Sequence, residues 1–285
     1  MAPLRAPVTA AVAPTLEDVE VGLLLEGVRQ QYGIDLGRFG SPPLRRRLRR
    51  CLAAEGVETF SALQDRVLHD PGCLHRFVRA VAVQVTGMFR DPRMFEAVRR
   101  QVVPWLRTHP SIRVWQAGCS SGEEAYSMAI LLDEEGLLER ARIYASDVDT
   151  EVLGRAREGR VPVRRLAAYA EAHRRAGGSS PLLDHLRVEG DWAVLDARLR
   201  SRITWLEHNL GTDGSFNDFH LLLCSNVLMY LDRAPRSHAL EVLGGSVVMF
   251  GFLGLGSREL LGPGVESAGF RHVAGGEVNL YKRVP

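Results

Sequence analysis

Two adjacent carboxylates, Glu123 and Glu124, follow directly on a loop of small residues, Gly118-Cys119-Ser120-Ser121-Gly122. The run before the loop, Ile112-Arg113-Val114-Trp115-Gln116-Ala117, reads as a short apolar strand, and the run after it as a helix. A loop of Gly, Cys and Ser lets a ligand come close to the backbone, because no bulky side chain stands in the way. A helix N-terminus ordinarily attracts anions, but two carboxylates at that spot repel phosphate. A cation fits better. S-adenosylmethionine carries a sulfonium and an ammonium and has no phosphate.

Three more groups could share that chemistry. Asp147, in Ser146-Asp147-Val148-Asp149, is the first acid after a second apolar run and can accept both ribose hydroxyls of an adenosine. Asp149 with Thr150 suits the cap of the next helix instead. Ser225-Asn226 ends the run Phe219–Cys224, and a polar pair at a buried strand end requires hydrogen-bond partners. His208-Asn209-Leu210 follows another strand. Singly, each reads as well as a turn or a cap. Together they fall at strand C-termini, where an open α/β sheet binds its ligands. The first turn lacks G-x-G-x-x-G, and no G-x-x-x-x-G-K-[ST] occurs, so neither a dinucleotide fingerprint nor a P-loop is present.

The elements that must position these residues alternate. Strands are expected at 112–117, 142–146, 203–206, 219–225 and 247–255, with helices over Glu123–Glu135 and Glu151–Glu158, which implies a parallel sheet with crossover helices. Two last strands, near 270–273 and 278–283, flank Gly275-Gly276 and suggest an antiparallel hairpin. This is the shape of a Rossmann-like methyltransferase domain of α/β class, mostly parallel, with an antiparallel C-terminal hairpin. Ahead of it, apolar residues from Leu16 to Val85 recur at helical spacing between Gly and Pro breaks, predicting a small all-helical domain over 16–85. Residues 1–15 read as a disordered leader, 86–110 as a linker helix and 111–285 as the methyltransferase domain. A variable insertion at about 160–201 is charged, rich in Arg and Ala, and loop-like.

Composition narrows the class. The chain has 285 residues, 46% of them apolar, and a formal net charge of +2, so a large core is expected without a global pull toward nucleic acid or anionic membrane. Lys282 is the only lysine. Cys51, Cys73, Cys119 and Cys224 form no CxxC pair, so no metal site is expected, and unpaired thiols suit a cytoplasmic protein. No stretch of membrane-spanning length is free of charge.

Four blocks resemble the CheR family of chemoreceptor glutamate methyltransferases. They are Gln84-Val85-Thr86-Gly87-Met88-Phe89-Arg90-Asp91-Pro92, the Ala117–Ser127 loop, Tyr144–Leu153, and Cys224-Ser225-Asn226-Val227-Leu228-Met229-Tyr230-Leu231-Asp232. The resemblance runs from about residue 17 to the C-terminus. It implies S-adenosylmethionine as cofactor, S-adenosylhomocysteine as product, no metal, and glutamate side chains of methyl-accepting chemoreceptors as acceptors. It also implies that Glu124 holds the methionine end and Asp147 the ribose, with Gly118, Asn209, Leu210, Ser225 and Asn226 bordering the cofactor. Gln84, Thr86 and Arg90 would close the pocket, and Arg90 and Tyr230 are the implied catalytic pair. Gln84 stands where the family has Asn and Met88 where it has Phe. Phe252–Glu259 departs from G-G-x-x-x-x-G-H-S-E, which suggests a divergent subgroup. A SAM-binding regulatory module without catalysis is the alternative.

The acceptor side has its own signal. In Leu44-Arg45-Arg46-Arg47-Leu48-Arg49-Arg50-Cys51-Leu52, the apolar residues share one helix face, and Arg46, Arg49 and Arg50 share the opposite one. A cationic ridge suits the acidic methylation helices of a chemoreceptor's cytoplasmic domain, and these three are the expected substrate-binding residues. The chain is expected to act as a monomer, in the cytoplasm, without nucleic acid or membrane insertion. Some family members grip a receptor tether with a small β insertion; residues 160–201 occupy that region, and their loop-like character leaves tether binding open.

Overall fold

A computed structural model describes residues 15–32, 42–81, 86–231, 233–261, 269–273 and 278–285. The leader over 1–14 and Gln84 lie outside the described residues. The chain divides into two compact units, 1–83 and 84–285.

Among the described residues, the first unit contains the helices α1 (Leu16–Tyr32), α2 (Pro42–Glu55), α3 (Phe60–His69) and α4 (Pro71–Val81). Val21, Leu24, Leu25 and Val28 of α1 pack with Leu44, Leu48 and Cys51 of α2 and Phe60, Leu63 and Val67 of α3 in a buried core. Thr59 caps α3 by accepting the Ala62 N–H.

The second unit begins with α5 (Pro92–Ala97), a π-helical turn (Val98–Val102) and α6 (Val103–Leu106). The chain continues through β1 (Ile112–Ala117), α7 (Glu123–Glu134), β2 (Ala141–Asp147), α8 (Thr150–Glu158), β3 (Arg160–Pro162), α9 (Leu166–Arg175), β4 (Leu186–Glu189), β5 (Trp192–Leu195), α10 (Ala197–Arg200) and β6 (Ile203–Glu207). It ends with β7 (Phe219–Cys224), α11 (Arg233–Gly245), β8 (Val247–Leu255), β9 (Phe270–His272) and β10 (Leu280–Arg283).

Seven strands form one sheet in the order β6-β2-β1-β7-β8-β10-β9. The first five are mutually parallel, and β10 pairs antiparallel with both β8 and β9. The Rossmann-like arrangement with an antiparallel C-terminal end is therefore present. Both faces of the sheet are covered. Val114 and Ile143 lie in one apolar cluster, with α5 and α7, and Trp115, Ala117 and Leu222 in the other, with α11. Every residue of α7 from Glu123 to Leu132 is buried, so this helix is enclosed rather than amphipathic.

From β1 the chain adds strands on one side, β2 then β6, and afterwards on the other, β7 then β8. The order reverses at β1 and β7, and the C-terminal ends of the strands at such a switch point are where an open sheet of this kind binds its ligand.

The stretch 160–201 corrects the loop-like reading. It holds α9 and a three-stranded antiparallel sheet in the order β3-β5-β4. A buried polar knot ties it to α7. Glu134, with a side chain 2% exposed, accepts from the backbone N–H groups of Ser179 and Ser180, the Ser180 hydroxyl, the His173 ring and Arg99. Burial opposes its charge, yet these donors together hold its carboxyl far below the usual range.

Candidate active site

The loop after β1 is shaped by three left-handed residues. Gly118 has φ 69°, and a Cβ there would sit 2.2 Å from Val227 Cγ2. Gly122 has φ 90°, and its Cβ would meet Trp205 Cη2 at 2.6 Å. Only glycine serves at both positions. Ser120 between them has φ 50°.

Two bonds fasten this loop to the end of β2. Cys119 N–H donates to the Ser146 carbonyl at 2.8 Å, and Ser120 N–H donates to Asp147 Oδ2 at 2.8 Å. Asp147 Oδ1 accepts the Asp149 N–H at 3.0 Å. Asp147 thus has a structural duty that its position in the sequence did not reveal, while each oxygen keeps a second lone pair for a ligand. Asp149 caps α8, accepting from Glu151 and Val152 N–H.

Glu124 opens α7 and is 9% exposed. Gln116, on β1 and 1% exposed, donates from Nε2 to Glu124 Oε2 at 3.2 Å. Burial pushes the Glu124 carboxyl up to about 7, and the positive charge of Arg90 only partly offsets this. Glu123 accepts the Ser121 hydroxyl at 2.7 Å, and its backbone carbonyl accepts the Ser127 hydroxyl. Ser127 Oγ in turn accepts the Phe89 N–H at 2.8 Å.

Phe89 has φ 52° and is wholly buried, its ring 4.7 Å from that of His173 on α9. This strained residue immediately precedes the exposed Arg90. Thr86 is 9% exposed, and its carbonyl accepts from Arg165 at 3.4 Å. Tyr230 is half-buried in a 3₁₀ turn after β7. Burial raises its phenol, with Arg90 opposing. The charge of Arg90 therefore reaches both Glu124 and Tyr230.

Ser225 and Asn226 follow β7, both half-buried. Asn226 has φ 58°, and its N–H donates to Glu259 Oε2 at 2.7 Å. Glu259, 1% exposed, also accepts from Gly256 N–H at 3.0 Å and Met229 N–H at 3.3 Å. It is the residue that sequence reasoning missed. It ends the Gly256-Ser257-Arg258-Glu259 stretch after β8, and a lone acid just past the last parallel strand was the available signal. Gly256 is required here, because a Cβ would lie 2.5 Å from Glu259 Oε2 and 2.9 Å from Asn226 N.

Asn209 is exposed, its Oδ1 accepting the Gly211 N–H at 3.0 Å. The Leu210 side chain is buried in the core, so a ligand would meet its backbone. These residues all belong to the second unit. Arg46, Arg49 and Arg50 belong to the first, exposed on α2 as expected. The ridge is not free of acids, however. Arg49 pairs with Glu17 at 2.8 Å and Arg45 with Asp18, both acids from α1. Among the described residues, Arg46 and Arg50 make no ion pair.

The site suits a cationic nucleoside ligand. A buried carboxyl raised by desolvation is only partly offset by the charge of Arg90. Gln116 Oε1 and Ser120 Oγ are buried without a hydrogen-bond partner beside the same loop. The four cysteines are unpaired and buried, and burial pushes the Cys119 and Cys224 thiols up, so neither is a nucleophile. Among the described residues, no cluster of His, Cys, Asp and Glu could hold a metal ion, and no helix is long and apolar enough to cross a membrane.

Similarity in sequence to known proteins shows the family. Residues 84–274 match the family described as CheR methyltransferase, SAM binding domain, and residues 20–82 match CheR methyltransferase, all-alpha domain. A Pseudomonas putida protein named "Putative methyltransferase Cher3" is 43% identical over 85% of this chain and 89% of its own length. A chemotaxis protein methyltransferase of Listeria innocua is 28% identical over 83% of this chain and 88% of its own. Among solved structures, the N-methyltransferase NodS of Bradyrhizobium japonicum covers 79% of this chain and 97% of its own, with 15% identity and a TM-score of 0.40.

Proposed function

We propose that this chain, which belongs to the CheR methyltransferase family, transfers the methyl group of S-adenosylmethionine to glutamate side-chain carboxylates of chemoreceptors. The observation that carries the reading is a buried Glu124, held by Gln116 at 3.2 Å beside the small-residue loop and with the exposed Arg90 and half-buried Tyr230 in the same unit. One carboxylate faces the cofactor, and one guanidinium is available to an acidic acceptor.

The cofactor supplies an electrophilic methyl on sulfur. The acceptor needs little activation, since a glutamate with an ordinary pKa of about 4.3 is already ionised at neutral pH. One carboxylate oxygen forms the new bond to carbon, the carbon–sulfur bond breaks, and its electron pair stays on sulfur. No proton moves. Catalysis is then positioning and exclusion of water. Glu124 binds the ammonium of the cofactor, and Asp147 accepts from the ribose hydroxyls. Arg90 holds the acceptor carboxylate in a fork of charged hydrogen bonds. Tyr230, kept protonated by its raised pKa, donates its hydroxyl to orient the attacking oxygen. Gly118 and the Ser225-Asn226 turn leave backbone open to the cofactor, as do Asn209-Leu210. Thr86 flanks it from the segment that carries Arg90.

On the acceptor side, Arg46 and Arg50 offer unpaired positive charge to an acidic receptor helix. Arg49 joins them when it exchanges Glu17 for a receptor carboxylate, at little cost for so exposed a pair. The protein is proposed to work in the cytoplasm on the receptors' helical cytoplasmic domain.

The test is methyl transfer from radiolabelled S-adenosylmethionine to receptor cytoplasmic fragments, wild type beside Arg90→Ala. Base-labile label, absent with the variant, is the expected result. Cofactor binding without transfer to any receptor fragment would favour a regulatory, non-catalytic role.

A further inference from the structure

Gln116 is out of place as a core residue. It lies on the central strand β1, 1% exposed, on the face that α7 covers. Its neighbour in alternation on that face, Val114, is apolar and belongs to the core cluster. Its amide makes one bond, from Nε2 to Glu124 Oε2 at 3.2 Å. Its Oε1 is buried with no partner. A buried amide oxygen left unpaired costs free energy comparable to a lost hydrogen bond, so a native structure retains one where a ligand completes it.

The position says what kind of ligand group this is. Gln116 is the second-last residue of β1, just ahead of the small-residue loop, and its amide lies against the carboxylate that opens α7. An amide carbonyl and a carboxylate side by side present two acceptors and no cationic donor. An ammonium, with three N–H donors in a tetrahedral array, can bridge two such acceptors at once.

Resting on the reading of this site as an S-adenosylmethionine site, we propose that Gln116 is a further cofactor-binding residue, its Oε1 accepting an N–H of the cofactor's α-ammonium beside Glu124. Its Nε2 meanwhile holds the Glu124 carboxylate in place. One side chain thus orients the anionic partner and supplies the neutral one. Discrimination follows from this arrangement. An analogue without the ammonium leaves both acceptors buried and unpaired, and is rejected for that reason as well as for the lost charge pair.

The test is calorimetric binding of two probes, S-adenosylhomocysteine, which has the α-ammonium, and 5′-methylthioadenosine, which has neither the ammonium nor the carboxylate. The variants are Gln116→Met, close in volume but without an amide acceptor, and Gln116→Leu, smaller and likewise without one. Thermal melts establish folding. Wild-type protein that fails to bind S-adenosylhomocysteine refutes the cofactor reading of the site itself, whatever the variants do. Given wild-type binding, Gln116→Met should weaken S-adenosylhomocysteine roughly tenfold or more and leave 5′-methylthioadenosine within about twofold. Unchanged affinity for S-adenosylhomocysteine, or an equal loss for both probes, overturns the proposal. Should Gln116→Met fail to fold, Gln116→Leu decides by the same comparison of the two probes. A roughly tenfold loss confined to S-adenosylhomocysteine supports the acceptor role, and unchanged affinity or an equal loss for both probes overturns it.

Discussion

Glu259 Oε2 accepts the backbone N–H of Asn226 at 2.7 Å across 33 positions of sequence, which locks the ends of two neighbouring parallel strands, β7 and β8, into one piece of backbone. The same carboxylate holds Gly256 and Met229 N–H. Replacing Glu259 by Ala leaves the Asn226 and Met229 N–H groups without their acceptor, while the Gly256 N–H keeps the Cys224 carbonyl at 3.2 Å. We expect a loss of about 2–4 kcal/mol in urea unfolding, given a cost of about 1–3 kcal/mol for each buried donor left unsatisfied and partial relaxation. Affinity for S-adenosylhomocysteine should fall too, because Asn226 lies in the loop being released.

Glu124 makes cofactor binding pH-dependent near neutrality. Its carboxyl is raised from 4.5 to about 7, chiefly by burial, so it is neutral below that pH and ionised above it. A cationic group binds the ionised form. Affinity for S-adenosylhomocysteine should therefore rise from pH 6 to pH 8, and Glu124→Gln should flatten the profile in calorimetry. The linkage for the free protein runs the other way. Between 4.5 and about 7 the folded state holds a proton that the unfolded chain has released. The stability contributed by this group is complete below 4.5 and is lost as pH rises through about 7. Glu124→Gln should remove that decline.

Asp147→Ala removes the acceptor for Ser120 and Asp149 N–H and, with it, the proposed ribose acceptor. The expected loss of cofactor affinity is on the order of 1.5–3 kcal/mol by calorimetry, with a lower melting temperature even without cofactor. A variant that melts like wild type would show that the loop does not depend on this carboxylate.

Glu134→Ala removes one of the two carboxylates that pair with Arg99, Glu135 remaining at 2.8 Å, and strands the buried donors of Ser179, Ser180 and His173. About 3 kcal/mol of stability should be lost on urea unfolding. Because Glu134 is depressed in the folded state, its contribution is present above its ordinary value of 4.5 and is lost as pH falls below it. Wild-type protein should therefore be less stable at acid pH by an amount that the variant does not show.

Arg46→Glu with Arg50→Glu should raise KM for receptor fragments and leave S-adenosylhomocysteine affinity unchanged. The wild-type KM should rise with salt, since exposed charges are screened beyond roughly 10 Å at 0.1 M. A double variant that also loses cofactor binding would indicate misfolding.

Much of this was legible in the sequence because the signals are local. The alternation of strands and helices, the small-residue loop before Glu123 and the cap at Asp149 each depend on a few neighbouring residues. The parts that were not legible depend on distant ones. β3, β4 and β5 have three or four residues each, and Val188 and Trp192 remain exposed, so no alternation marks them. Their anchor, Glu134, lies on another helix. The acids that face Arg45 and Arg49 come from α1, which no inspection of α2 could reveal. The bond from Asp147 to Ser120 spans 27 positions, and it turns a residue read as a ligand contact into a brace as well.

The ring of His173 rests on Phe89, and Phe89 delivers Arg90. The segment between β3 and β6 thus backs the residue that immediately precedes the proposed acceptor-side arginine, and is not an appendage beside the sheet. A chimera that grafts this segment from a relative would transplant the backing of Arg90 along with whatever that segment docks. Turnover and partner choice would change together, and could be separated again only by restoring the histidine.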